Sequence, residues 1–255
     1  MTAKLLNPEK MSIEQLQEMF ALDVEMQQAS QQDVLARIQE SKTMITGKGG
    51  RGKTLSAVAI AYMLRERFGQ PVIAIGSKMG LGRGAGGSDA FGPFQNMDER
   101  DFKEELERLN VAASEEENAE QVAKAFEKYG VSILYSTLVF DEARKLLNSR
   151  RPQDKLVQLT GDFVMQARHY HCTTIILAPS EDEIDKRVVR QLDWKGRCYH
   201  NPYTDICRVR LTQGLEVLTL DIDGADNTLH PAYYDMYNSW TLLGYRQSSL
   251  SINRM

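Results

Sequence analysis

The chain has 255 residues, 42% of them hydrophobic and 26% charged, the composition of a soluble globular protein; wholesale disorder and fibrous repeats are excluded. Its 31 Lys and Arg against 35 Asp and Glu leave a formal net charge of -4, which excludes a protein that coats nucleic acid with its whole surface but not one with a local basic lining. The length suits one large α/β domain carrying an arm better than two full domains.

Met1 to Pro8 holds no apolar run followed by small residues, so no export leader is expected. Ser12 to Gln15 has the form of a capping box and opens a Gln-rich helical stretch that reaches about Gln39, with Ile13, Leu16, Met19, Phe20 and Val24 near helical spacing. This N-terminal arm, residues 1–40, is either a helix packed on the core or a handle for a neighbouring subunit or scaffold. Thr43 to Thr46 reads as a first strand, Gly47 to Thr54 as a glycine loop, and Leu55 to Phe68 as a helix that stops near Gly69. Pro71 to Gly76 is a second apolar run of buried-strand type, completing a βαβ unit. The most apolar helical stretch, Leu55 to Leu64, is far shorter than the ~20 residues that cross a bilayer. The expectation is an intracellular chain with no membrane span.

Glycines crowd the segment from Gly80 to Gly92, with Arg83 among them, and such density predicts a loop. Asp98 to Leu109 and Ser114 to Lys128 follow as strongly charged helical patterns with acidic, solvated faces. Ile133 to Phe140 is a third strand, ending at Asp141-Glu142, and Thr173 to Ala178 is a fourth. Ala143 to Leu147 and Val157 to Ala167 supply helical cover between them. Cys207 to Leu211 and Leu215 to Leu220 flank Gln213-Gly214 as an antiparallel meander. The expected fold class is therefore α/β, a mainly parallel central sheet flanked by helices, extended by a C-terminal β meander and preceded by the arm.

Cys172, Cys198 and Cys207 are an odd number of cysteines, read as free thiols. With His169, His171 and His200 they match no zinc spacing, and packing is their ordinary explanation.

Gly47-Lys48-Gly49-Gly50-Arg51-Gly52-Lys53-Thr54 satisfies the phosphate-binding loop pattern, placed after a strand and before the helix that Leu55 continues. Its glycines let backbone N–H groups wrap phosphates, the helix N-terminus faces them, Lys53 reaches the terminal phosphates and the Thr54 hydroxyl takes Mg²⁺. Asp141, at the end of a parallel strand, reaches the same crevice and completes the Mg²⁺ site; Glu142 beside it can orient and deprotonate an attacking water. The expected cofactors are ATP and Mg²⁺, bound by a nucleotide-hydrolysing domain over residues 41–255 with Gly47 to Leu55 as the nucleotide-binding residues.

Further blocks extend the pattern: Val72 to Lys78, Asp141 to Arg150, Ala167-Arg168-His169-Tyr170 before the fourth strand, Glu183 to Arg190 after it, and Tyr234 to Trp240. Taken with the phosphate loop, they make the chain similar to the FtsK/HerA superfamily of DNA-pumping ATPases, in particular its viral genome-packaging branch and the related Zot-like phage ATPases. The resemblance covers about Thr43 to Trp240 and implies a P-loop NTPase of the RecA/FtsK-like type. It implies that Arg168 is an arginine finger inserted into a neighbour's nucleotide site, with Arg187 and Arg190 as alternatives. Where the family usually carries a glutamine phosphate sensor, this chain reads Ala178-Pro179-Ser180, so Ser180 takes that place with shorter reach.

The function implied is an ATP-driven motor translocating double-stranded DNA without sequence preference, packaging a viral genome into a preformed capsid. Its partners would be a hexameric or pentameric ring of its own copies and capsid or portal vertex proteins, in the host cytoplasm or on the virion. Candidate DNA contacts are Arg83, Arg150 and Arg151, with Lys48 and Arg51 outside the phosphate cradle. The alternatives are a Zot-like phage morphogenesis ATPase, a nucleotide switch or partitioning ATPase that does not pump DNA, and a small-molecule kinase.

Overall fold

A computed structural model describes residues 34–76, 94–115, 128, 130–200 and 206–223. In chain order the elements are β1 (Lys42–Thr46), α1 (Lys53–Phe68), β2 (Val72–Ile75), β3 (Phe94–Met97), α2 (Glu99–Glu115), β4 (Thr137–Phe140), α3 (Lys155–Gln166), β5 (Thr173–Ala178), α4 (Lys186–Arg190), β6 (Trp194–His200), β7 (Ile206–Gln213) and β8 (Glu216–Asp223). The strands form one sheet in the order β3-β2-β4-β5-β1-β6-β7-β8. From β3 to β6 all neighbours are parallel; β7 and β8 continue the sheet antiparallel.

Alternation along the central strands splits the core into two layers, because successive side chains of a strand point to opposite faces. Ile45, Val72, Ala74, Val139, Ile175 and Leu177 pack on one face against α1 and the helical residues 34–38, of which Val34, Leu35 and Ile38 are buried. Met44, Ile73, Leu138, Phe140 and Ile176 pack on the other face with α2, α3 and α4. There Phe102 meets Phe140 and Phe163 edge to face, with ring centroids 5.6 and 6.1 Å apart, an arrangement that suits the aromatic quadrupole. The first layer continues under β6, β7 and β8 through Trp194, Val209, Leu211, Leu218 and Leu220.

This is the expected α/β architecture: a mainly parallel sheet between helices, with a phosphate loop joining β1 to α1 and two antiparallel strands at its end. Several boundaries differ from the sequence reading. The third strand is shorter than Ile133 to Phe140 and begins at Thr137, because Tyr135 turns the chain with a positive φ of 57° and the Ser136 hydroxyl donates to the Ile133 carbonyl at 2.5 Å. The cover expected over Ala143 to Leu147 is a single 3-10 turn, Ala143–Lys145. The helix expected from Glu183 starts at Lys186, where the Asp185 carboxylate accepts from the Arg187 N–H and caps it. β3 and β6 were not legible: β3 is only four residues, and β6 interrupts its alternation with Gly196 and carries Lys195 and Arg197. The glycine segment 80–92, the arm before residue 34, most of 114–128 and the Tyr234 to Trp240 block lie outside the described residues. Among the described residues no helix is long and apolar enough to cross a membrane.

Candidate nucleotide-binding site

The loop that follows β1 gets its shape from glycine. Gly50 (φ 72°) and Gly52 (φ 82°) both occupy the left-handed region, which costs an L side chain strain but glycine nothing. Gly52 is the N-cap of α1, and no carboxylate occupies the first turn of that helix, so its N–H groups and positive dipole end are kept for an anion. The Lys53 ammonium donates to the carbonyls of Gly47 at 2.8 Å and Lys48 at 3.2 Å, folding the side chain back over the loop. Lys48 and Arg51 are exposed at its rim, while Leu55 is buried and anchors the helix behind it.

Two strands away, β4 delivers Asp141 to the same edge. Its Oδ1 accepts from the Thr54 hydroxyl at 3.4 Å and from the Glu142 N–H at 3.1 Å. Oδ2 is buried and takes no hydrogen bond from any described residue. Burial pushes the carboxyl above the ordinary carboxylate range, and the neighbouring Glu142 charge adds to this; the bonds from Glu142 and Thr54 and the charge of Lys53 act the other way. A buried carboxylate oxygen left without a donor, beside a hydroxyl, is an oxygen donor set that fits Mg²⁺. Thr54 and Asp141 therefore fit the metal role expected of them. Glu142 is held in the left-handed region at φ 49°, an uncommon conformation for a residue with a side chain. Its carboxylate, partly exposed, pairs with Lys145 at 3.2 Å.

β5 lies between β1 and β4, so the chain leaving it at Pro179-Ser180 emerges between the phosphate loop and Asp141. Ser180 takes up an extended backbone ahead of the Glu181–Glu183 turn. Two bonds tie this segment to the one after β4: the Ser149 N–H donates to the Glu183 carbonyl at 3.1 Å and the Ser149 hydroxyl to the Asp182 carbonyl at 2.7 Å. The two segments flanking the site are thus physically joined.

Arg168 lies elsewhere. It sits in the 3-10 turn before β5, at the opposite edge of the parallel sheet, separated from its own phosphate loop by the length of β1, roughly 15 Å. Its guanidinium is largely exposed and pairs with Asp193 at 3.3 Å. Arg187 is held by the carboxylate of Asp185 at 2.8 Å, and Arg190 is exposed at the end of α4. Arg150 and Arg151 line an open groove of about 510 Å³ with Arg144, Lys145, Glu99 and Glu183, next to the turn that follows Asp141. Arg83 lies outside the described residues. Among the described residues the cysteines and histidines form no metal-holding group: Cys172 is buried at the Arg168 edge, donating to the Ile133 carbonyl, whereas Cys198 is at the phosphate-loop edge.

Cys198 and Ser56 are the residues that sequence reasoning missed. The Cys198 thiol donates to the Arg51 carbonyl at 2.8 Å and lies 3.3 Å from the Ser56 hydroxyl, which donates to the Gly52 carbonyl at 2.8 Å. A cysteine in an unrecognised strand gave no signal of this.

A family model described as zonular occludens toxin (Zot) matches residues 41–240. No curated protein matches the chain. Among solved structures, the chain is similar to the N-terminal domain of zonular occludens toxin from Neisseria meningitidis, at 15% identity over 78% of this chain and 100% of that one, with a TM-score of 0.47. The DNA-packaging ATPase of Sulfolobus turreted icosahedral virus is similar at 14% identity over 66% of this chain and 79% of that one, with a TM-score of 0.42. A KaiC-like protein of Pyrococcus horikoshii gives 14% identity, 70% and 81% coverage and a TM-score of 0.40.

Proposed function

The chain belongs to the zonular occludens toxin (Zot) family, and from that premise we propose that it is an ATP-hydrolysing motor that moves double-stranded DNA in phage or viral morphogenesis. The observation that carries the hydrolytic reading is the meeting of Thr54 and the buried, incompletely bonded Asp141 beneath a phosphate loop, with Glu142 at the next position. The loop N–H groups and Lys53 bind and orient the nucleotide phosphates. Thr54 and Asp141 would hold Mg²⁺, which when bound neutralises phosphate charge. Glu142 is placed to orient water and accept its proton.

The position of Arg168 supports a shared site. A guanidinium at the far edge of the sheet serves no phosphate of its own subunit and is exposed for a neighbour's, as a ring of copies would require. Arg150 and Arg151 beside the Asp141 turn supply a basic lining for duplex phosphates. Capsid or portal proteins are the further partners of this reading, and the host cytoplasm or the virion its location.

Steady-state ATP hydrolysis with and without long duplex DNA tests the proposal. Wild type is expected to be stimulated by DNA, less so as salt rises. Glu142→Gln and Arg168→Ala should each lower the rate by 10³-fold or about that. Hydrolysis indifferent to DNA and to Arg168 would leave a nucleotide switch acting within one subunit.

A further inference from the structure

Among the described residues, the strands β6, β7 and β8 are covered on one face only. Trp194, Cys198, Val209, Leu211, Leu218 and Leu220 point into the core, so by the two-residue alternation of a strand the intervening side chains share the other face. That face is basic. Arg197 lies directly across from Arg210, and Tyr199 directly across from Arg208. All four are exposed, Tyr199 by 52%, and Val217 on the same face by 45%. Lys195 joins them but is paired with Glu181 at 2.8 Å.

Like charges directly opposed on an antiparallel pair repel, and neither Arg197 nor Arg210 has an ion-pair partner among the described residues. The pair lines an open groove of about 310 Å³ with Lys195, Tyr199 and Thr212, and the groove reaches Thr46, the residue before the phosphate loop. As directly opposed residues of an antiparallel pair, Arg197 and Arg210 have Cα atoms roughly 5 Å apart, close enough for both guanidinium groups to reach one phosphate or two successive ones. Guanidinium groups bind phosphate bidentately. An exposed tyrosine among them offers the stacking surface that an unpaired base needs and a duplex does not.

We infer that the open face of β6 and β7 is a single-stranded nucleic-acid site, with phosphates over Arg197 and Arg210 and a base stacked on Tyr199. It rests on the reading of the chain as a nucleic-acid motor and adds to it a second surface, on the sheet beside the phosphate loop. A chain of net charge -4 needs such a local concentration of cations if it is to hold a polyanion at all.

The test is fluorescence anisotropy of a labelled oligothymidine and of a duplex of equal length, across a salt series, on the full chain. R197A/R210A and Y199A are compared with R150A/R151A, and a fluorescent nucleotide analogue monitors the phosphate loop. R197A/R210A should weaken single-strand binding at least tenfold and reduce the salt slope by about 1.4, two contacts at ~0.7 each. Y199A should weaken it about tenfold, with little change for duplex. Both variants should bind the nucleotide analogue as wild type does. The inference is overturned if R197A/R210A keeps wild-type affinity and slope, or if only R150A/R151A loses binding; the motor reading then stands. It is equally overturned if R197A/R210A alters sedimentation but not DNA affinity, which would make the face a contact between copies. A wild-type chain that binds no nucleic acid overturns both readings.

Discussion

The thiol of Cys198 donates a 2.8 Å hydrogen bond to the carbonyl of Arg51, so a residue of β6 holds the crown of the phosphate loop. The loop glycines are conformationally permissive, and a buried contact at this point limits which shapes they adopt. Cys198→Ala should therefore lower nucleotide affinity severalfold while leaving secondary structure unchanged, and Cys198→Ser should restore part of the loss. Titration with a fluorescent nucleotide, beside circular dichroism, measures both.

The buried carboxyl of Asp141 costs stability at neutral pH. Burial raises its carboxyl pKa, so between the ordinary carboxylate range and the raised value the folded state keeps a proton that the unfolded chain has released. Stability from this group falls as pH rises through that window and stays lower at neutral pH. Asp141→Asn is expected to stabilise the fold at pH 7 by on the order of 1 kcal/mol, read as a higher midpoint of thermal unfolding, with the gain fading below about pH 4. The same variant should lose Mg²⁺-dependent hydrolysis. Calorimetry over a pH series reads the first effect and a phosphate-release assay the second.

Asp185 behaves in the opposite sense. The Arg187 guanidinium, bonded to it, and the Arg187 N–H hold its carboxyl below the usual range. A lowered folded pKa contributes stability above the unfolded value and loses it as pH falls through the folded one. Asp185→Ala should cost about 1–2 kcal/mol at pH 7, the loss of a helix cap and its ion pair. The cost should shrink below about pH 4. Urea unfolding at several pH values checks the sign.

Gly196 lies where β6 passes between β1 and β7. A Cβ there would approach Leu211 Cδ2 to 2.8 Å and the Met44 carbonyl oxygen to 3.1 Å, and the backbone carbonyl cannot yield. Gly196→Ala should destabilise the chain by roughly 1–3 kcal/mol. Because the strand also carries Cys198, nucleotide affinity should fall with it. Chemical denaturation and nucleotide titration of the same preparation separate the two losses.

The phosphate loop, Asp141-Glu142 and the strands around β1, β2 and β5 were legible because each is encoded locally. A glycine pattern between an apolar run and an Ala- and Leu-rich helix has one economical reading, and so has an acidic pair closing a buried strand. β6 was not legible: it is amphipathic, with Cys198 inward and Arg197 and Tyr199 outward, and broken by a glycine whose reason is the close passage of β1 and β7. The cap at Asp185 likewise moved the start of α4 three residues beyond its sequence-based beginning.

By itself the sequence determined the fold class and marked the glycine loop and the acidic pair as the candidate site, since periodicity and loop patterns act over a few neighbouring positions. Only the tertiary structure decided that Thr54 meets Asp141 across 87 positions of chain, and that Cys198 braces the loop across 147. It also decided that Arg168 lies at the far edge from its own site and that Arg197 faces Arg210 on an open sheet. Those relationships depend on strand order and register, which arise from packing distant segments together and leave no trace in the spacing of any one of them.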